Sequence, residues 1–265
     1  MNTRGGKAEK SEVRKETMAY LETKNLCKYF GGLKAVDQVN FQVEQGQLKS
    51  IIGPNGAGKT TLFNLLSGLY TPTDGKIFFG GKDITHKKMN RISQIGITKT
   101  FQITHIFPRL TVFENVRISA QSRKTSFNFW RKAESLKDIN DKTMTILEMV
   151  QLAASHDRVA SVLSHGEKKY LEIGIALAAD PMLLLLDEPT AGMSPAETIL
   201  ATELIRSLRD KLKLTIILVE HDMSVVMKIS DEVVCLNDGR VLACGSPDQI
   251  SCNEEVQRVY LGGRK

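Results

Sequence analysis

The stretch SIIGPNGAGKTT, residues 50–61, decides the fold of this chain. A short apolar run leads into a glycine-rich loop, and a helical pattern of leucines follows from Leu62 to Leu69. A strand, a glycine loop and a helix in this order bind phosphate, because the loop N–H groups converge on the oxygens and the helix N-terminus adds positive potential. Lys59 can reach β- and γ-phosphates, and the hydroxyl of Thr60 can ligate Mg²⁺.

A second motif, LLLLDE, lies far along the chain. Four leucines, Leu183 to Leu186, predict a buried strand that ends in Asp187 and Glu188. Asp187 is predicted to hold Mg²⁺ through water, and Glu188 is predicted to polarise an attacking water. The presence of both motifs favours phosphate chemistry over purely structural roles for Lys59 and Asp187.

The rest of the sequence alternates strand and helix patterns. Apolar alternation from Tyr20 to Val43, broken at Gly31-Gly32, predicts a β-hairpin, and residues 112–160 are mostly helical in pattern. The later runs LLLLD, TIILVE, VVCLN and RVLACG predict strands, with helices around residues 196–211 and 222–230. This alternation predicts an α/β fold with a mostly parallel sheet covered on both faces.

Length and composition limit the domain organisation. The chain has 265 residues, of which 42% are hydrophobic and 25% charged, so it is long enough for one catalytic module and is neither fibrous nor disordered. The formal net charge of +6 comes from residues 1–17, net +2, and residues 117–142, net +4. Residues 1–17 are predicted to form a disordered extension, and no run approaches the roughly 18 apolar residues of a membrane span.

Further short motifs complete an ordered set. Phe30 precedes the paired glycines, Gln102 lies in KTFQ, residues 163–167 read LSHGE, and residues 219–222 read VEHD. With the glycine loop and LLLLDE, they stand in the order found in the ATP-binding cassette (ABC) ATPases, which the chain resembles over nearly its whole length. The resemblance implies an α/β P-loop NTPase fold with a RecA-like core, an N-terminal antiparallel β subdomain and a helical subdomain over about residues 103–162. The whole ABC ATPase domain would span residues 18–265.

The resemblance also implies residue roles. Phe30 would stack on adenine, with Tyr29 as the alternative, and catalysis would involve Glu188, His221 and Gln102. Mg²⁺ would be held by Thr60, Gln102 and Asp187. Nucleotide contacts are implied for Phe30, Val36, Asn55, Gly56, Ala57, Gly58, Lys59, Thr60, Thr61, Ser164 and Gly166. ATP and Mg²⁺ are therefore the expected cofactors.

Two motifs depart from the usual family pattern. LSHGE has His165 and Glu167 where LSGGQ is usual, and a carboxylate at residue 167 is expected to repel phosphate. Ser194 stands where many relatives have Asp. These substitutions are expected to tune the site, whereas Ser164 and Gly166 keep the hydroxyl and the close backbone N–H that a γ-phosphate needs.

Finer resemblance, in GGLKAVDQVNF, KTFQITHIFPRLTVFENV and DEPTAGMSPAET, is to the ATPase subunits of branched-chain (hydrophobic) amino acid importers. It implies a head-to-tail dimer with a second ABC ATPase subunit, identical or different, at the cytoplasmic face of the membrane. Transmembrane permease subunits and, indirectly, a solute-binding protein would be partners. The alternatives are a urea-type importer, a lipid or polysaccharide exporter and, less favoured, a soluble ABC ATPase acting on nucleic acid or ribosomes. The single glycine loop disfavours the last, so no nucleic-acid partner is expected.

Overall fold

The computed structural model describes residues 19–100, 106–122 and 133–261 of the chain. The strands are β1 (Leu21–Phe30), β2 (Leu33–Val43), β3 (Leu48–Ile52), β4 (Asp74–Phe79), β5 (Lys82–Asp83), β6 (Ile97–Lys99), β7 (Leu183–Asp187), β8 (Thr215–Val219), β9 (Glu232–Asn237) and β10 (Arg240–Gly245). The helices are α1 (Lys59–Leu66), α2 (Met89–Gln94), α3 (Val112–Ser122), α4 (Ala133–Met149), α5 (His165–Ala178), α6 (Pro195–Leu212), α7 (Met223–Ile229), α8 (Pro247–Ser251) and α9 (Glu254–Leu261). The predicted extension 1–17 and Gln102 lie outside the described residues.

A six-stranded sheet forms the centre of the molecule, in the order β10-β9-β3-β8-β7-β6. Its neighbouring strands are parallel except for the antiparallel pair of β9 and β10. In β7, Leu184 and Leu186 belong to the apolar cluster on one face, and Leu183 and Leu185 belong to the cluster on the other. A strand buried on both faces needs a continuous apolar run, which is why four leucines precede Asp187.

A second, antiparallel sheet has the order β2-β1-β4-β5. Strands β1 and β2 form the predicted hairpin and turn at Gly31 and Gly32, where Gly31 has a φ of 57°. Val39, Phe41 and Ile77 of this sheet share an apolar cluster with α1 and the central sheet. The hairpin is thereby fixed beside the glycine loop.

Helices α3, α4 and α5 cover the opposite face of the central sheet in one continuous apolar cluster. The end of α4 meets α5 closely, because a Cβ at Gly174 would lie 3.3 Å from Val150. The sequence predicts a helical subdomain that ends at about residue 162. In the structure, α5 packs against α3 and α4, so the helical layer continues beyond that residue. The boundaries of the subdomain remain a prediction.

Local signals fix where α6 begins and ends. Ser194 is the N-cap, Pro195 occupies the first turn, and the Ser194 and Glu197 side chains each accept a hydrogen bond from the other's backbone N–H. Lys213 ends the helix in the left-handed conformation, with a φ of 54°. Among the described residues, no helix has the length and apolar character needed to cross a membrane.

Candidate active site

The glycine loop, residues 53–58, joins β3 to α1 as the sequence predicted, and α1 begins at Lys59. Within the described part of the chain, the backbone N–H groups of Asn55, Gly56 and Gly58 donate to no protein acceptor. Free N–H groups beside a helix N-terminus form a cradle for anions. The loop can therefore hold phosphate without losing bonds of its own.

Close backbone approach explains two of the glycines. A Cβ at Gly53 would lie 2.3 Å from the carbonyl oxygen of Leu236, and one at Gly58 would lie 2.3 Å from that of Ala35. The Gly239 N–H donates to the Ala57 carbonyl at 3.1 Å and thereby ties the β9–β10 turn to the loop. The loop is thus held between β2 and this turn.

Lys59 lies over the glycine loop. Its Nζ donates to the carbonyl oxygens of Gly53 at 2.7 Å and Pro54 at 3.0 Å. Burial lowers the pKa of Lys59, and the negative charges of Glu188 and Asp187 oppose that shift. The ammonium group is accordingly positioned where the loop and the acidic strand end meet.

A cleft of about 470 Å³ opens above the loop. Most of the predicted nucleotide and catalytic positions share it, which brings the hairpin, the glycine loop and the ends of β7 and β8 together. It is lined by Phe30, Leu33, Lys34, Ala35, Asn55, Gly56, Ala57, Gly58, Lys59, Thr60, Thr61, Glu188, His221 and Asp238. Sequence reasoning missed Leu33, Lys34, Ala35 and Asp238, which lie in turns or at a strand start and carry no motif.

Phe30 and Tyr29 differ in their surroundings. Phe30 lines the cleft with 44% of its surface exposed, and its ring contacts Tyr70 edge-on at a centroid distance of 5.6 Å. The Tyr29 hydroxyl instead donates to Asp37 at 2.8 Å, outside the cleft. This arrangement favours Phe30 over Tyr29 as the ring available to a base.

The structure corrects the prediction that Val36 contacts the nucleotide. Its side chain has no exposed surface and belongs to the apolar cluster between the two sheets. A direct nucleotide contact by this side chain is therefore wrong. The neighbouring Ala35 lines the cleft instead, because successive residues of a strand face opposite sides.

Glu188 and His221 face each other at the mouth of the cleft. Glu188 Oε1 lies 3.0 Å from His221 Nε2. Glu188 has a φ of 50°, which is unusual for a residue with a side chain, and its N–H donates to the Val219 carbonyl at 2.9 Å. A backbone held in this uncommon conformation turns the carboxylate away from β7 and into the cleft.

A buried acid that sequence reasoning missed, Glu220, stands behind this pair. Its Oε1 accepts hydrogen bonds from the Thr190 N–H at 2.9 Å and hydroxyl at 2.7 Å, and its Oε2 accepts from the His221 N–H at 3.1 Å. Glu220 is 3% exposed. The carboxylate therefore connects the loop after Glu188 to the backbone of His221. An acid directly after an apolar strand was the signal that could have indicated it.

Asp187 meets the requirements of a metal ligand. Both of its carboxylate oxygens are buried and accept no hydrogen bond from the described residues, while Lys99 Nζ lies 3.2 Å from Oδ2. Thr60 is exposed in the cleft nearby. One carboxylate and one hydroxyl, completed by water and phosphate oxygens, suit Mg²⁺. Gln102, the third predicted ligand, lies outside the described residues.

The LSHGE motif caps α5. Ser164 Oγ accepts from the Glu167 N–H at 3.2 Å, and the Glu167 carboxylate accepts from the Ser164 N–H at 2.8 Å and pairs with Arg158 at 3.1 Å. The Glu167 carboxylate, which was expected to repel phosphate, is thus bound by Ser164 and Arg158. His165 Nε2 lies 3.0 Å from the Ala191 carbonyl oxygen, which links α5 to the loop after Glu188.

Ser164 and Gly166 are not among the described residues that line the cleft. Gly166 is buried, and a Cβ there would lie 2.9 Å from Glu197 Oε1. The loop cradle and the LSHGE helix start therefore occupy different places on one chain.

Comparison with known proteins agrees with this geometry. A family model described as ABC transporter matches residues 36–191, more than half of the chain. The chain belongs to the ABC transporter ATP-binding family. This cassette is therefore an ATPase, and the predictions of family, fold class and enzyme activity are confirmed.

The relatives of the cassette are similar along nearly their whole length. The high-affinity branched-chain amino acid transport ATP-binding protein BraF of Pseudomonas aeruginosa is 41% identical over 91% of this chain and 97% of its own. The corresponding protein LivG of Escherichia coli is 40% identical over 91% and 97%. A second family model, described as branched-chain amino acid ATP-binding cassette transporter, matches residues 240–265.

Solved structures share the fold of the cassette. An ATP-binding cassette of an ABC transporter in its ADP conformation has a TM-score of 0.82 and 33% identity, covering 93% of this chain and 100% of that one. A dimeric post-hydrolysis cassette bound to ADP and Pi has a TM-score of 0.74 and 26% identity, covering 86% and 98%.

Proposed function

We propose that this chain is the ATP-hydrolysing subunit of an importer for branched-chain or related amino acids. The observation that carries the proposal is the Glu188–His221 pair, 3.0 Å apart at the mouth of the cleft that the glycine loop lines. The match of residues 240–265 to a branched-chain amino acid cassette model, together with BraF and LivG, supports the substrate class. These relatives favour amino acids over urea, lipid or polysaccharide.

Hydrolysis would use the residues of the cleft in distinct roles. Phe30 would support the base, while the N–H groups of Asn55, Gly56 and Gly58 and the Lys59 ammonium would hold the phosphates. Glu188 would accept a proton from the attacking water, and His221 would contact the γ-phosphate and keep the Glu188 carboxylate oriented. Glu220 would fix the backbone of His221 during these steps.

Mg²⁺ would be held by Thr60, Asp187 and Gln102. When bound, the ion neutralises charge on the phosphate oxygens. Asp187 supports this assignment because its buried carboxylate accepts no hydrogen bond from the described residues. The Lys99 ammonium, 3.2 Å from Asp187 Oδ2, would balance the charge of the Asp187 carboxylate before nucleotide binds.

A second cassette would complete the site. Ser164 and Gly166 lie apart from the cleft of their own chain, so the start of α5 would contact the nucleotide of a partner cassette in a head-to-tail dimer. The relative that is dimeric with bound ADP and Pi supports the pairing of two cassettes. The contacts between the partner's α5 start and the γ-phosphate would exist only in the closed dimer. Hydrolysis would remove them and let the dimer open.

The partner for transport would be a pair of transmembrane permease subunits, served by a solute-binding protein. A groove of about 220 Å³ between the end of β6 and helices α3 and α5 supports this proposal, with Thr100, Ser119 and Ile175 among its lining residues. Thr100 lies two residues before Gln102 in the sequence. A permease segment docked in this groove would therefore influence Gln102. The chain would then lie at the cytoplasmic face of the membrane.

Replacing Glu188 tests the proposed hydrolysis directly. In the transporter purified with its permease subunits, Glu188→Gln should retain ATP binding and lower turnover by about 100-fold or more, because the amide cannot accept the proton. Phosphate release and retained labelled ATP are the two measurements.

A matched control is available away from the cleft. Glu203 in α6 is exposed, and its Oε1 lies 3.7 Å from Lys228 Nζ. Glu203→Gln makes the same chemical change and should leave turnover within about twofold of the wild type, because an exposed ion pair contributes little. Hydrolysis by Glu188→Gln at the Glu203→Gln rate would contradict the role of Glu188.

A further inference from the structure

The last turn of α9 contacts the first residue of the glycine loop. The N–H of Gly53, the first loop residue, donates to the Tyr260 hydroxyl oxygen at 2.6 Å. Gly53 is buried, so this hydroxyl satisfies a backbone donor that water does not reach. Tyr260 lies 207 residues further along the chain.

Both polar backbone atoms of Gly53 are held by side chains. The carbonyl oxygen accepts from Lys59 Nζ at 2.7 Å, while the N–H donates to Tyr260. Gly53 has a φ of 151°, a conformation that glycine adopts readily. These two hydrogen bonds therefore add to the backbone contacts that hold the loop where it leaves β3.

Apolar packing fixes Tyr260 in place. Val256 of α9 is 4% exposed and shares an apolar cluster with Ile52, Val233 and Cys235, against which Tyr260 packs. Burial raises the pKa of Tyr260 to about 12, so its hydroxyl stays uncharged. Helix α9 is thus docked on the same strand, β3, that carries the loop.

We propose that Tyr260 is a positioning residue that holds the glycine loop ready for nucleotide phosphates. The inference rests on the proposed function, in which this loop binds the phosphates. It also gives the segment 240–265, which the branched-chain cassette model matches, a role in nucleotide binding. Tyr260 is not among the described residues that line the cleft, so it acts through Gly53.

Tyr260→Phe removes this hydroxyl and keeps the ring in its apolar contacts. The Gly53 N–H then has no acceptor, and the loop regains its missing bond only by leaving the binding conformation. The affinity for nucleotide falls in proportion to the fraction of molecules whose loop keeps the binding conformation. The loss of one hydrogen bond to a buried donor corresponds to about a tenfold loss of affinity.

The control is Val256→Ala in the same helix. This change removes apolar packing and keeps the hydroxyl, so it should lower the melting temperature without the loss of affinity. Tyr260→Phe and Val256→Ala together separate the positioning role from a general loss of stability.

The test uses the full chain and ADP as the probe, measured by titration calorimetry, together with hydrogen exchange of the Gly53 amide. We expect Tyr260→Phe to bind ADP about tenfold more weakly and its Gly53 amide to exchange faster, with exchange at Ile51 unchanged. In the intact transporter, KM for ATP should rise with kcat nearly constant. Wild-type affinity and unchanged Gly53 exchange in Tyr260→Phe would overturn the inference. A wild-type chain that binds no ADP would contradict the proposed function as well.

Discussion

At the scale of single residues, chemistry determined what could be predicted from sequence. Lys59 and Glu188 were identifiable because phosphate binding and water activation demand those residue types after a strand. Val36 was assigned wrongly because a resemblance does not specify which side of a strand a residue faces. Glu220 was missed because its role depends on Thr190, a contact that only the folded backbone creates.

His165 offers a prediction at this scale. Since the Ala191 carbonyl only accepts, Nε2 of His165 must carry the proton in their 3.0 Å contact. His165→Leu removes the donor and should lower ATP turnover several-fold, because a hydrogen bond of about 1 kcal/mol no longer holds the loop after Glu188. His165→Gln retains an N–H donor of similar reach and should restore turnover.

Phosphate release by the purified transporter measures this effect. Equal turnover in His165→Leu and His165→Gln, whether normal or reduced, would show that the hydrogen bond to Ala191 has no part in it.

At the scale of elements, periodicity predicted the hairpin, strands β3 and β7 to β10, and helices α1, α3, α4, α6 and α7. It did not predict β5, β6, α2, α5, α8 or α9. The hairpin β1–β2 and the buried strand β7 follow from alternation and from a continuous apolar run. Docking between distant elements was not predictable, because neither the Tyr260–Gly53 bond nor the ion pair of Asp37 with Arg240 leaves a periodic signal. Both join parts of the chain about 200 residues apart.

The Asp37–Arg240 pair leads to a prediction on acid stability. Arg240 donates to Asp37 Oδ2 from Nε at 3.0 Å and from a terminal nitrogen at 2.6 Å, and joins β2 to β10. These hydrogen bonds, with that from Tyr29, lower the pKa of Asp37. Because the pKa of Asp37 is lower in the folded state, its charge stabilises the fold at pH values above the ordinary aspartate pKa of about 3.9. This stabilisation is lost as the pH falls through the folded-state pKa.

Arg240→Ala should therefore lower the free energy of unfolding most at neutral pH. The difference from the wild type should narrow below about pH 4, measured by urea unfolding across the pH range. Lys34→Ala is the control, because Lys34 is exposed and lies 3.6 Å from Asp37. A difference that is constant with pH would contradict the role of the ion pair.

At the scale of the whole molecule, the proposed dimer would take half of each of its two sites from this chain. The cleft lies at the glycine loop, and the LSHGE helix start lies elsewhere. The family resemblance implied that a second cassette completes each site, because the sequence contains one glycine loop and one LSHGE motif. It did not predict how one loop, residues 188–194, is connected to β8 through Glu220 and to α5 through His165.

In the proposed function, hydrolysis at Glu188 drives amino acid import. The direct measurement is ATP-dependent uptake of labelled leucine by liposomes that contain the complete transporter and its solute-binding protein. We predict uptake with the wild-type chain and none with Glu188→Gln, although the variant still binds ATP. Equal uptake by both chains, or ATP-dependent uptake of urea without leucine, would contradict the claim.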